Sequence, residues 1–271
     1  MPELPEVETI RRALERLALG RRISRIQLLR EDYLQAGGDR LSDVSGAKIV
    51  AVNRKGKYLA LLLSNRLALL HHLGMSGRLL WVSTEVPCDS HTHVRIFLET
   101  EMEELRQRDP RRFGFFAVLS AQELERFSPW ARLGMDALDV TPSYFFSSLK
   151  THKRPIKSLL LEQHIVAGLG NIYADEALHR AGIHPTRPAN EVSETESRIL
   201  LRRIKQVLRE AIRNGGTSSN DYRQLDGSLG DFQNRLRVYG REGKNCLRCG
   251  SVIVRLVLGG RSAHFCPACQ R

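Results

Sequence analysis

No apolar run in this 271-residue chain reaches the ~18–20 residues needed to span a bilayer as a helix. The start also lacks the basic stretch followed by an apolar one that marks a secretory leader; Glu3, Glu6 and Glu8 stand there instead. The reading is an intracellular chain, cytoplasmic or nucleoid-associated and bacterial, with no membrane partner. Cysteine is scarce, with five in all, and four of them crowd between positions 246 and 269. In an intracellular chain, paired Cys-x-x-Cys steps favour a metal over disulfides. Cys88, in a loop after Pro87, has no expected role. There is no internal repeat and no low-complexity tail, which excludes a solenoid or a disordered arm. Acidic residues are few beside basic ones, 30 against 42, giving a net charge of +12. That excess points to a polyanionic partner.

The chain is long enough for two domains with real cores. Helical spacing of Ile10, Ala13, Leu14 and Leu17 predicts a helix over 7–19, stopped at Gly20. Strand-like runs follow at 22–29, 48–53, 58–63, 67–72, 78–82, 93–99 and 113–119, with turns at 53–56, 64–66 and 75–77. Ser120 and Glu123 form a capping box for a short helix. The pattern breaks over 133–142, which reads as a linker. Thr141-Pro142 then opens a helical half, in which Ser193 and Glu196 cap a long helix ending at Gly215-Gly216. Residues 217–234, rich in Gly, Ser, Asp and Asn, read as a mobile loop.

The first six residues place an amine and two carboxylates together. If Met1 is removed, Pro2 carries a free secondary amine, and a chain-terminal amine titrates near ~7.7–8.0, so much of it is uncharged at neutral pH. An uncharged amine attacks an electrophilic carbon, and with an aldehyde or aldose carbon it gives an iminium. Glu3 and Glu6 stand where protons would be supplied or removed. The same residues also make an ordinary helix start, with Pro5 in the first turn and acidic groups at the positive end.

Cys246-x2-Cys249-x16-Cys266-x2-Cys269 has the spacing of a closed four-cysteine zinc site, structural rather than catalytic. Between the pairs, 252–258 and 262–265 read as two strands with Gly259-Gly260-Arg261 at the tip. A tip arginine suits a DNA groove. Upstream, 156–166 and 173–181 read as helices around Ala167-Gly-Leu-Gly-Asn171, with Asn171 as a cap. Free N–H groups at such a start bind phosphate, and Lys157 is near in sequence; plain helix-hairpin packing is the competing reading. His72-Leu-Gly-Met-Ser-Gly77 and Asp109-Pro-Arg-Arg-Phe-Gly114 put Met75, Arg111 and Phe113 on turns. They are chemically fit to fill the hole left by an extracted base, although Met75 and Phe113 equally suit a core.

Together these motifs resemble the bacterial formamidopyrimidine-DNA glycosylases over nearly the whole chain. The resemblance is carried by Pro2-Glu-Leu-Pro-Glu-Val-Glu8, Lys57, the two turns above, Gly170-Asn-Ile-Tyr-Ala-Asp-Glu176, Val238-Tyr-Gly-Arg241 and the cysteine hairpin with Gly260-Arg261. It implies an α+β fold: an N-terminal β-sandwich with flanking helices over 1–132, the linker 133–142, a helix–two-turns–helix domain over 143–235 that includes a lesion loop at 217–234, and a zinc-bound β-hairpin over 236–271. Damaged double-stranded DNA would lie between the two halves of a monomer. The implied activity is excision of oxidised purines, 8-oxoguanine and formamidopyrimidines, with strand cleavage by β,δ-elimination through a Pro2 Schiff base. One structural zinc and no redox cofactor are expected.

By the same resemblance, Pro2 attacks C1′ and Glu3 protonates the deoxyribose ring oxygen. Glu6 supports near the flipped base, and Lys57 contacts phosphates around the lesion. Met75, Arg111 and Phe113 fill the void, with Arg111 facing the orphaned cytosine. His72 and His91 contact the backbone, and Lys157, Asn171 and Arg261 clamp phosphates. Two regions depart from the pattern: the acidic stretch 84–108, with Glu99, Glu101, Glu103 and Glu104, and the loop 217–234. The rival readings are an endonuclease VIII-like enzyme for oxidised pyrimidines and a non-catalytic lesion-binding zinc protein.

Overall fold

The computed structural model describes residues 2–100, 102–218 and 222–271. Met1, Glu101 of the acidic stretch and residues 219–221 of the expected loop lie outside the described residues. The chain forms two compact units, one of Met1–Ala131 with Asn214–Asp231, the other of Arg132–Arg213 with Phe232–Arg271. The sequence groups 217–234 with the helical half; the structure places most of that segment in the first unit. The reason is burial: Tyr222 and Leu225 join the first unit's core, and the Trp81 backbone N–H donates to the Leu225 carbonyl at 2.8 Å.

In the first unit, helix α1 (Leu4–Ala18) starts three residues before the predicted onset. Glu3 is its extended N-cap, Pro5 sits in the first turn where no N–H is missed, and Glu6 caps from within. Its apolar face, Val7, Ile10, Leu14 and Ala18, is buried. Nine strands follow: β1 (Ile23–Leu28), β2 (Leu34–Ala36), β3 (Ile49–Lys55), β4 (Tyr58–Leu63), β5 (Leu67–His72), β6 (Arg78–Ser83), β7 (Thr92–Leu98), β8 (Glu103–Arg108) and β9 (Phe115–Ser120). They form a five-stranded sheet ordered β2-β9-β5-β4-β3 and a four-stranded sheet ordered β1-β7-β8-β6. All pairings are antiparallel except β2 with β9. One core joins α1 to both sheets, through residues such as Leu59, Leu61, Leu79, Ile96 and Phe116. Two short helices, α2 (Ala121–Arg126) and α3 (Ser128–Ala131), follow the last strand.

β8 lies within the acidic stretch 84–108, beyond the strand expected over 93–99. Glu104 and Arg106 are both buried there. Glu104 is chelated by Arg95 and Arg106, with Arg95 Nε 2.7 Å from its Oε2. Paired this way, charged residues take places in a sheet that their composition alone argues against.

The second unit opens with β10 (Met135–Asp136), inside the expected linker. It is not free: it pairs in parallel with β11 (Val166–Ala167) across α4 (Pro142–Lys150) and α5 (Ile156–Leu160). The helix expected over 156–166 therefore ends at Leu160. The Gln163 amide holds the turn that replaces it, donating to the carbonyls of Leu161 and Leu169 at 2.9 and 2.8 Å and accepting from Gly168 N at 2.9 Å. α6 (Asn171–Ala181) and the long α7 (Glu194–Arg213) complete the helical part, the latter capped by Ser193 and Glu196 as predicted. A hairpin of β12 (Val254–Leu258) and β13 (Arg261–Phe265) closes the chain. None of the described helices is long and apolar enough to cross a membrane.

Candidate functional site

Two buried carboxylates stand at the start of α1. Glu3 and Glu6 are 2 % and 1 % exposed. Glu6 Oε2 accepts from Glu3 N at 2.7 Å, and Oε1 accepts from Thr217 N at 2.7 Å. The carboxylate thus ties the first turn to the segment after α7. A Cβ on Gly216 would crowd Glu6, which is why glycine stands there. Both Glu6 oxygens accept from backbone N–H groups, so its carboxylate fixes the helix start. Glu3 is buried there, next to Pro2 in sequence.

Lys57 lies in the tight turn joining β3 to β4 and is largely buried. His72 faces Tyr58 across β4 and β5, the rings 4.5 Å apart and stacked. Burial, with the Lys57 charge adding to it, pushes the His72 imidazole down to about 4, so it is neutral at pH 7. His72 therefore brings no charge to the site. His91 is exposed, and its carbonyl accepts from Asp109 N at 2.8 Å.

The two turns carrying Met75, Arg111 and Phe113 meet. Gly74 and Gly114 allow it: a Cβ on Gly74 would overlap the backbone of Phe113 and Gly114, and one on Gly114 would overlap His72 and Tyr33. Phe113 is 55 % exposed, far from the core position its type would suggest. Arg111 lies over its ring at 4.8 Å, and Met75 is half-buried beside the turn's glycines. Arg112 adopts a left-handed φ of 56°, which non-glycine residues rarely take.

A residue given no role in the sequence holds these turns. Asp109 is fully buried. Its carboxylate accepts from Ser76 Oγ at 2.6 Å, Gly114 N at 2.8 Å and Tyr33 OH at 3.3 Å, and Ser76 Oγ accepts in turn from Arg111 N at 3.1 Å. Gln107 donates to Tyr33 OH at 3.0 Å and accepts from His71 Nδ1 at 2.7 Å. Asp109 begins the Asp-Pro-Arg-Arg-Phe-Gly motif, a position from which a carboxylate can cap the following turn. Tyr33 and Gln107 left no local signal.

In the second unit, Asn171 is the first residue of α6, and the extended Gly170 is its cap. The exposed Arg261 opens β13, paired with Leu258, rather than standing at the hairpin tip. Lys157, expected at a phosphate, lies inside the second unit. It is fully buried, paired with Asp175 at 2.6 Å and bonded to the Ser262 carbonyl. A buried ammonium needs such partners. Asp175 also accepts from His264 N at 2.9 Å. The Lys157–Asp175 pair therefore anchors the Arg261 hairpin to α6.

The four cysteine Sγ atoms lie within 4.8 Å of one another, with Cys246 to Cys269 at 3.9 Å and Cys249 to Cys266 at 3.4 Å. Zinc–sulfur bonds of about 2.3 Å in a tetrahedron separate sulfurs by roughly 3.8 Å, so the cluster fits zinc and leaves no open position. Cys88 is exposed and distant from it in sequence.

Sheets joined through one core, a helical turn opened by Gly168 and Gly170, and a four-cysteine hairpin define a zinc-finger helix–two-turns–helix protein. Family models agree: the formamidopyrimidine-DNA glycosylase N-terminal domain matches residues 1–116, the H2TH domain of the same enzymes 133–223, and the zinc finger found in FPG and IleRS 243–271. The chain belongs to the formamidopyrimidine-DNA glycosylase family. It is 41 % identical to the enzyme of Geobacillus kaustophilus and 43 % identical to that of Thioalkalivibrio sulfidiphilus, each over all of both chains. Its structure is similar to that of the Fpg (MutM) protein from Thermus thermophilus (TM-score 0.90, 41 % identity, 99 % and 98 % of the two chains covered). It is equally similar to Lactococcus lactis Fpg in complex with DNA containing Fapy-dG (TM-score 0.91, 34 % identity, 99 % and 100 % covered).

Proposed function

We infer that the chain excises oxidised purines from duplex DNA and cleaves the strand at the resulting abasic site, with Pro2 as nucleophile. Family membership over the full length supports the activity. The single observation that supports the assignment to Pro2 is the pair of buried carboxylates fixed around the chain start. Removal of Met1 frees the Pro2 amine. Its nitrogen attacks C1′ of the damaged nucleoside, the C1′–base bond breaks, and the base leaves with the bonding electron pair and takes up the proton that the Pro2 nitrogen sheds. Glu3 donates its proton to the sugar ring oxygen as the ring opens, leaving an iminium between Pro2 and C1′. The iminium acidifies the C2′ proton, so the 3′ phosphate is eliminated and then the 5′ phosphate. A one-nucleotide gap flanked by phosphates remains.

Met75, Arg111 and Phe113 fill the space of the extruded nucleotide, with Arg111 toward the orphaned cytosine. An exposed phenylalanine under a guanidinium on a rigid turn suits that task. Lys57, His72 and His91 contact the strand near the lesion. Asn171, at a helix start, and Arg261 hold phosphates further along, with Lys157 positioning Arg261 from below. Four-cysteine zinc fixes the hairpin that carries Arg261; when bound, it supplies structure.

Borohydride reduction should trap a covalent adduct between the protein and an oligonucleotide carrying 8-oxoguanine opposite cytosine. Mass spectrometry should map the bond to Pro2 and find Met1 absent, and Pro2→Gly should weaken trapping sharply. A bond mapped to an internal lysine would remove Pro2 from the mechanism.

A further inference from the structure

A cavity of about 210 Å³ in the second unit plays no part in the chemistry above. His179 and Arg180 from the end of α6, Arg203 and Gln206 from α7, Arg237, and Arg248 from the first zinc knuckle line it. Four guanidiniums therefore face one small space. Glu210 offsets one of them, with Arg180 Nη1 2.7 Å from its Oε2. Glu176 does not line the space; its Oε1 accepts from the N–H groups of Arg237, Val238 and Tyr239, and its buried Oε2 has no hydrogen-bond partner among the described residues. Among the described residues, Arg203 Nη1 bonds only to the neutral amide of Gln206, at 2.8 Å.

The lining also holds unmet hydrogen-bonding atoms. Arg180 Nε, on a side chain 5 % exposed, Arg203 Nε and His179 Nδ1 are buried and have no partner among the described residues. Buried polar groups are as a rule satisfied, so several orphans around one cavity mark a place that something fills. Guanidinium forks match tetrahedral oxyanions, bonding them in pairs with charge assistance.

We propose that this cavity binds one phosphate group, as free phosphate, as a phosphate monoester or as a strand phosphate. It is not the phosphate expected at Asn171. Asn171 and Arg180 are at opposite ends of α6, about 13 Å apart at the usual helical rise. Because Arg248 stands between Cys246 and Cys249, the cysteine knuckle sets one wall of the pocket.

The test uses the zinc-loaded full chain. Inorganic phosphate is titrated calorimetrically at an ionic strength fixed with chloride, and an undamaged duplex is titrated over a salt series. Two variants are compared with the native protein: the double variant Arg203→Gln/Arg248→Gln, and Gln206→Glu, which places a carboxylate in the cavity from the surface of a stable helix. Saturable phosphate binding, weakened about tenfold or more in both variants, is expected for the loss of charge-assisted bonds. If duplex affinity and its salt slope are unchanged in the variants, the ligand is free phosphate or a monoester. A salt slope lowered by about one, with or without binding of free phosphate, makes it a strand phosphate. If phosphate does not saturate, or binds the variants as tightly as the native chain, and the duplex salt slope is unchanged, the proposal is overturned.

Discussion

Asp109 makes three hydrogen bonds at once, to a hydroxyl on one turn, an amide on the next and a phenol from a third segment. Removing it strands all three donors in the interior. Each buried group left unsatisfied costs about 1–3 kcal/mol, so Asp109→Ala should lower stability by roughly 3 kcal/mol in urea denaturation. Tyr33→Phe breaks only the outer link and should cost about 1 kcal/mol. In single-turnover assays it should slow excision of 8-oxoguanine more than it weakens binding to abasic-site DNA, because the two turns lose register, not charge. At the other end of the site, Glu3→Gln keeps the shape of the chain start and removes the acid. A positioned acid is worth about 10²–10⁴ in rate; excision should fall by about that much while duplex affinity stays within about twofold. Normal excision by this variant would take Glu3 out of the acid role.

At the scale of elements, the approach of two turns depends on Gly74, which combines a φ of +59° with no room for a Cβ. Gly74→Ala should push the 111–114 turn aside, destabilise the chain by roughly 2–4 kcal/mol and reduce insertion of Phe113 into duplex DNA, readable as quenched fluorescence of a 2-aminopurine beside the lesion. Helix α1 carries a second device. Burial alone would raise the Glu8 carboxyl, but bonds from Arg11, Arg12 and Arg54 outweigh it and bring it down to about 2. A carboxyl lowered in the folded state stabilises above its unfolded value near 4.5 and loses that contribution as pH falls toward 2. The thermal midpoint should therefore drop over that window, and Arg54→Met should shift the drop to higher pH.

Most elements were legible because periodicity and capping are local: β4 and β5 match their predicted bounds, and α7 its predicted cap. β8 was not, because Glu104 and Arg106 belong in a sheet only once Arg95 arrives from the neighbouring strand. The short α5 and its parallel β10–β11 pairing were missed for the same reason: a glutamine side chain and a distant partner strand override helical spacing. In the site, residue types named the metal ligands and the candidates for nucleophile and wedges. They did not name what holds them, since Asp109, Tyr33 and Asp175 act through partners from 33 to 89 positions away.

For the molecule as a whole, the net charge of +12 makes DNA affinity depend strongly on salt. Strong chelation should release about one zinc per chain, the number a four-cysteine site holds. It should also abolish DNA binding, since the hairpin carrying Arg261 rests on the same cysteines and is tied to α6 through Asp175. Gel-shift titration with and without chelator reads this directly. A metal-free preparation with native affinity would end the structural role assigned to zinc.

The bond between Glu6 and Thr217 spans 211 positions. On the ribosome, the first turn of α1 must wait for the segment after α7 before its carboxylate finds its partner. Closing so long a loop is slow compared with local folding. A nascent chain halted before residue 214 would carry an unfinished first unit, without Tyr222 and Leu225 in its core. The first turn of α1 thus gains its full surroundings only when the segment after α7 folds back onto it, so the chemistry proposed for Pro2 waits on the completion of the unit.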